Sequence, residues 1–165
     1  MNDLEALSAR IAALEAIEAI KQLKARYWHA CDRKDVEAVR ACFADGPIEI
    51  DYDGTGRHDH RDKLYEVFKT ISLHDNIVEH HHGGPPQITL LSGTEAKGVW
   101  SLSYHLADTK KGTIHHVGGY YDDGYRLVEG EWRIVRTRFR VCSAAAYRWK
   151  EGALKVLHLG AKLGG

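Results

Sequence analysis

The sequence predicts an α+β fold, with helices first and an antiparallel sheet after them, on two observations. In the first third, apolar residues recur at steps of three and four, the period of a helix face. From Gln87 onward, long runs rich in β-branched and aromatic residues are cut by short polar turns, the pattern of a meander. At 165 residues the chain is read as a single domain, residues 1–165, large enough to bury a core without disulfides or a structural metal.

Leu7, Ile11, Leu14, Ile17, Ile20, Leu23, Tyr27 and Cys31 fall on one stripe and predict a first helix from Leu4. It is long for a small domain, so residues 1–15 are expected to extend beyond the core or lie against a neighbouring subunit. Asp35 is placed to cap a second helix, Val36 to Phe43, closed by Ala44-Asp-Gly-Pro47. Ile48, Ile50 and Tyr52 alternate with Glu49, Asp51 and Asp53, a half-buried strand ending at Gly54-Thr-Gly56. Leu64, Val67, Phe68 and Ile71 give a third helix, with Asp59 or His58 as its cap. The meander then reads Gln87 to Leu91, Ala96 to Leu106, Thr113 to Val128 and Glu131 to Ala145, turning at Ser92-Gly93, Lys110-Lys-Gly112 and Glu129-Gly130. Curved strands of this length need bulges, and Gly118-Gly119 can supply one. Residues 146–165 carry Tyr147, Trp149, Leu154, Val156, Leu157, Leu159 and Leu163, too apolar for a solvated tail; they are expected to cover a pocket mouth or a neighbouring subunit.

Lys+Arg and Asp+Glu are both 23, so no basic field attracts a phosphate backbone and nucleic acid is not an expected partner. The acidic start lacks a targeting progression, and no run approaches the roughly 20 apolar residues of a membrane span. A cytoplasmic protein with no membrane association is expected. Cys31, Cys42 and Cys142 are an odd set with no C-x-x-C spacing, which argues against a disulfide framework or zinc knuckle.

The chemistry concentrates in Ile77-Val-Glu-His-His-His-Gly-Gly-Pro-Pro-Gln-Ile-Thr-Leu90. In an extended segment neighbours point to opposite faces, so His80 and His82 share one face and His81 takes the other. Imidazole changes charge near neutral pH, so an inward histidine is a general base, a metal ligand or a hydrogen-bonded core residue. His80, His81 and His82 with His58, His60, His115 and His116 invite a metal, but consecutive strand residues diverge and no H-E-x-x-H or facial-triad spacing occurs. No metal is expected. Trp28, Trp100, Trp132 and Trp149 read as core or rim packing rather than a stacking platform, and Trp28 joins the candidate substrate-binding residues at a pocket rim.

Four segments together resemble a known family: Ile17-Glu-Ala-Ile-Lys-Gln-Leu-Lys-Ala-Arg-Tyr27, Asp32-x-x-Asp35, the stretch around His81, and Gly118-Gly-Tyr-Tyr-Asp-Asp123 running to Gly130-Glu-Trp-Arg-Ile134. In order and spacing they are similar to the SnoaL-like branch of the nuclear transport factor 2-like (NTF2-like) superfamily, above all its bile-acid 7α-dehydratase, scytalone dehydratase and hexachlorocyclohexane dehydrochlorinase group. The resemblance implies a cone-shaped curved antiparallel sheet wrapped by N-terminal helices around one deep pocket. It also implies a homo-oligomer, a trimer in preference to a dimer. In those lyases the position of His81 is the base, that of Asp32 orients it, and that of Tyr27 sits beside the leaving or carbonyl oxygen. Where the bile-acid enzyme has a carboxylate and scytalone dehydratase a histidine, this chain has Tyr104, with His105 on the opposite face. Arg140 matches a pocket arginine, and His116 and Tyr120 are further candidates for the lining. The activity implied is a lyase that needs no cofactor and eliminates water, halide or a small carbonyl fragment such as formaldehyde from a hydrophobic, hydroxylated aromatic or polycyclic small molecule. An isomerase or polyketide-cyclase-like enzyme, or a non-catalytic binding or association module, is the alternative on the same scaffold.

Overall fold

In the computed structural model, which describes residues 3–160, helix α1 (Asp3–Asp32) is followed by α2 (Val36–Ala41), α3 (Arg61–Ile71) and an eight-stranded sheet. The periodic stripe of α1 becomes buried only from Ile20 onward; Leu4, Leu7, Ile11 and Leu14 stand exposed. Asp35 caps α2 as the sequence predicts, accepting the Ala38 N–H at 3.0 Å, although the helix closes at Ala41 rather than Phe43. The cap of α3 is His60, one residue beyond the expected candidates. Its Nδ1 accepts the Asp62 N–H, while the Asp59 side chain is drawn to Lys63 instead.

The strands are β1 (Glu49–Tyr52), β2 (Gly56–His58), β3 (Ile77–Gly83), β4 (Gln87–Leu90), β5 (Glu95–Asp108), β6 (Thr113–Val128), β7 (Glu131–Lys150) and β8 (Ala153–Gly160). The spatial order is β2-β1-β7-β6-β5-β3, with β4 beside β5 and β8 beside β7. β6 carries β5 on one side and β7 on the other along nearly its whole length. The free edge of β7 is shared: its first half takes β1 in parallel, its second half takes β8. That of β5 is shared between β3 and β4.

Two elements differ from expectation. Gly54-Thr-Gly56 does not end the strand but reverses it into the short β2, with Gly54 and Gly56 at positive φ. Residues 146–160 do not line the cavity between sheet and helices; they lengthen β7 and fold back as β8, and Leu163 lies outside the described residues. The cause is local. Glu151 and Gly152 both have positive φ, the two-residue turn whose twist matches a hairpin.

The sheet bends where the sequence allows. The β6–β7 register slips between Gly118 and Gly119, leaving Cys142 of β7 without a partner, and slips again between Gly124 and Tyr125. At Gly119 the strands come so close that a Cβ would sit 2.4 Å from the Arg140 carbonyl and 2.6 Å from the Phe139 ring. Gly119→Ala is therefore expected to destabilise the domain by about 1–3 kcal/mol through forced overpacking. A fall in urea midpoint at unchanged slope would show it; an unchanged midpoint would mean the bend is not fixed there.

The core fills the concave side of the sheet against α1 and α2, around Leu23, Tyr27, Phe43, Ile50, Tyr125 and Ile134. Within it lies a buried ion pair: Lys24 Nζ is 2.7 Å from Asp123 Oδ2, and both side chains are fully inaccessible. The contact is close but without an aligned N–H···O bond. The ammonium also sits 3.5 Å from the centre of the Tyr121 ring. Asp123 Oδ2 accepts the Tyr125 hydroxyl at 2.8 Å, and that hydroxyl accepts the Trp100 indole N–H at 2.8 Å.

Candidate active site

Between the sheet and the helices is one apolar cavity of about 230 Å³. Tyr27 and Cys31 of α1, Leu64 and Phe68 of α3, Tyr52 of β1, Glu79 and His81 of β3, Leu102 and Tyr104 of β5, and Phe139 and Val141 of β7 are among its walls. Parity brings His81 there. Glu79 and His81 face inward on β3 while Val78, His80 and His82 face solvent.

Asp32, the last residue of α1, reaches His81 across the gap between helix and strand. His81 Nδ1 is 2.6 Å from Asp32 Oδ1, within the hydrogen-bond reach expected from the sequence, and the His81 backbone N–H donates to both carboxylate oxygens at 3.0 and 3.2 Å. A carboxylate only accepts, so Nδ1 carries the ring proton and Nε2 is left as an acceptor. Burial works against the charge on Asp32, but the ring and backbone hydrogen bonds from His81, with its charge and that of His80, outweigh it and hold the carboxyl below the usual range. The solvent-exposed His80 adds a longer contact, Nδ1 to Oδ2 at 3.3 Å.

A depressed carboxyl pKa has a consequence for acid stability. The folded state prefers ionised Asp32, so its contribution is complete above the unfolded value of about 4 and is lost as pH falls through the lower folded value. The stability gap between the wild type and Asp32→Asn is expected to be widest near neutrality and to narrow below about pH 4 in urea titrations. A gap that is flat with pH would remove the linkage.

Tyr104 lies directly across from His81 in the β3–β5 register, their ring centres 4.7 Å apart. Its hydroxyl donates to Glu79 Oε2 at 2.6 Å. Tyr27 faces the same cavity, its hydroxyl 3.1 Å from that of Tyr52, which in turn reaches Thr137 Oγ1 at 3.4 Å. Burial first, then a neighbouring oxygen (Tyr52 for Tyr27, Glu79 for Tyr104), pushes both phenols upward, so each remains a protonated donor. Burial likewise pushes up the Cys31 thiol, which makes it a packing group rather than a nucleophile.

The other candidates lie elsewhere. On β6 the buried Tyr121 and Tyr125 set the inward parity, which turns His116 and Tyr120 outward, contrary to the expectation that they line the cavity. His116 meets His105 on that outer face, Nδ1 to Nδ1 at 3.4 Å. Arg140 is also outward, between the inward Phe139 and Val141; it is bound to the Asp51 carboxylate and carbonyl and 3.5 Å from Asp53, so it does not reach the pocket. Trp28 is core: it packs edge-on to Trp100 and lies so close to Gly83 that a Cβ there would be 1.9 Å from its ring. Sequence reasoning missed Glu79 and Tyr52. The signal for Glu79 was present, because it shares the inward parity of His81 two residues on. Among the described residues no group of three or more His, Cys, Asp and Glu side chains could hold a metal ion, and no helix is long and apolar enough to cross a membrane.

A large curved sheet closed by N-terminal helices over one cavity defines the NTF2-like, cystatin-like class of α+β proteins. Residues 12–138 match the SnoaL-like domain, and the chain belongs to that family. It is similar in structure to a scytalone dehydratase-like protein from Novosphingobium aromaticivorans, with TM-score 0.77, 20% identity, and 94% and 98% of the two chains covered. A type 3 hexachlorocyclohexane dehydrochlorinase from Novosphingobium barchaimii matches with TM-score 0.72 and 13% identity over 94% and 99% of the chains. An NTF2-like protein with a cystatin-like fold from N. aromaticivorans matches with TM-score 0.70 and 23% identity over 86% and 91%.

Proposed function

We propose that this protein is a lyase that uses no cofactor and eliminates water, or by the same parts halide or a small carbonyl fragment such as formaldehyde, from a hydrophobic hydroxylated molecule. The observation that carries the reading is His81, held by Asp32 through Nδ1, with Nε2 free at the wall of an apolar cavity. Nε2 takes a proton from a carbon next to the leaving group. Asp32 keeps the ring in the reactive tautomer and stabilises the imidazolium that forms. Tyr27 stands on the same cavity wall, 3.1 Å from the Tyr52 hydroxyl, and turns its O–H from that neighbour to the departing oxygen. The electron pair of the broken C–H bond becomes the new double bond, the C–O bond breaks with its pair going to oxygen, and that oxygen takes a proton from Tyr27 to leave as water. The proton held on His81 returns to the phenolate, so a base and a donor suffice. The names of two structural neighbours, a dehydratase and a dehydrochlorinase, denote eliminations and support this reading. A cavity of about 230 Å³ is smaller than most drug-sized sites and suits one or two rings.

A mass-spectrometric screen of hydroxylated one- and two-ring compounds tests it. Loss of water, halide or formaldehyde by wild-type protein is expected to persist in a chelator. Asp32→Asn is expected to lower the rate on the order of 10²- to 10⁴-fold, because an amide can hold the imidazole in the wrong tautomer. Activity abolished by chelation and restored by zinc or iron(II) would overturn the mechanism.

A further inference from the structure

Glu79 is a buried carboxylate of the cavity wall that the mechanism above leaves unused. Its side chain is only 3% exposed, yet it lines the same cavity as His81. One carboxylate oxygen, Oε2, accepts the Tyr104 hydroxyl. The other, Oε1, is buried and has no hydrogen-bond partner. The cation next to it is Lys34, whose Nζ is 3.9 Å from Oε1, beyond hydrogen-bond reach, and donates to the Ser72 carbonyl. A buried carboxylate oxygen left without a donor is costly, so a group that brings one gains more there than in water.

The neighbouring groups cannot supply that donor. The Nδ1 proton of His81 goes to Asp32 and the Tyr104 proton goes to Glu79. This side of the cavity therefore offers acceptors alone, the His81 Nε2 and Glu79 Oε1. Two carboxylates, Asp32 and Glu79, stand behind it.

We propose that Glu79 is the specificity-determining residue of the cavity: Oε1 takes a hydrogen bond from a hydroxyl of an uncharged aromatic or alicyclic ligand, and its charge turns away carboxylates. The proposal rests on the cavity being the substrate site, but not on which reaction occurs there. An ether in place of the hydroxyl fills the same space and leaves Oε1 unsatisfied, so the loss is that of a hydrogen bond to a charged group. An acid in place of the hydroxyl meets like charge in an apolar enclosure.

The test is equilibrium binding by isothermal titration calorimetry with three probes of one shape: 2-naphthol, 2-methoxynaphthalene and 2-naphthoate. Wild-type protein is expected to bind 2-naphthol on the order of 10- to 100-fold more tightly than its methyl ether, and 2-naphthoate more weakly than either. In Glu79→Gln and in Glu79→Leu, each checked for native circular dichroism, the naphthol preference is expected to shrink to a few-fold and 2-naphthoate to gain affinity. Equal binding of naphthol and ether by the wild type would overturn the proposal, as would a preference unchanged in both variants or no naphthol binding at millimolar concentration. Turnover is not read in this experiment. A protein that shows the binding preference yet eliminates nothing would refute the lyase and leave the role of Glu79 standing.

Discussion

His81→Ala is expected to lower kcat on the order of 10²- to 10⁴-fold on any substrate found by the screen, the usual range for removing a positioned general base. The fold should survive. Asp32 keeps the His81 backbone N–H as a partner, and the ring stands at the wall of a cavity rather than inside packed core. Circular dichroism and the urea midpoint should therefore stay close to wild type while turnover collapses. Full activity in the variant would move the chemistry to another group of the cavity, with Tyr104 and Glu79 the first to test.

The second large effect is on stability. Lys24→Met leaves Asp123 charged and buried, with Tyr125 as its remaining hydrogen-bond donor, and is expected to cost about 3–5 kcal/mol. For a domain of this size that is a fall in Tm of about 10 °C. The double variant Lys24→Met/Asp123→Leu is expected to regain most of the loss, because removing both charges abolishes the desolvation penalty that the single change exposes. Additive losses in the double variant would show that the pair stabilises the fold beyond compensating for its own burial. Burial already works against the charged form of Lys24, which pushes its ammonium pKa downward against the pull of Asp123.

What the sequence made legible follows from how local each signal is. The stripe on α1, the cap at Asp35 and the β6 glycines depend on neighbours in the chain, and each stands as read. The His81 face is equally local, since three consecutive histidines leave one of them on the opposite side, and the contact with Asp32 came from the family pattern. Parity on β6 and β7 was not legible. Tyr120-Tyr121 offers two identical side chains on opposite faces, and only the packing of Tyr121 on Trp28, Tyr52 and Phe139 decides which turns inward. Arg140 was misplaced for the same reason: the partners that draw it outward, Asp51 and Asp53, lie far back in the chain. The Lys24 to Asp123 pair has no local trace, because a lysine on an apolar stripe ordinarily extends its charge to solvent. β8 was a missed signal. Glu151-Gly152 repeats the Glu129-Gly130 pair that was read as a turn, with the same left-handed backbone at both residues.

The parallel seating of β1 on β7 sets the order in which the molecule can assemble. Glu49 pairs with Arg136 and Tyr52 with Phe139, so β1 has no place to dock until strands made much later exist. Bringing such distant segments together costs chain entropy before any contact repays it, whereas the β5–β6–β7 meander closes through short turns. The meander is thus expected to form first and β1 to dock on it later. During synthesis the segment that carries Tyr52 leaves the ribosome before the strand it docks on, so a refolding chain is expected to gain its meander before Tyr52 closes the cavity wall.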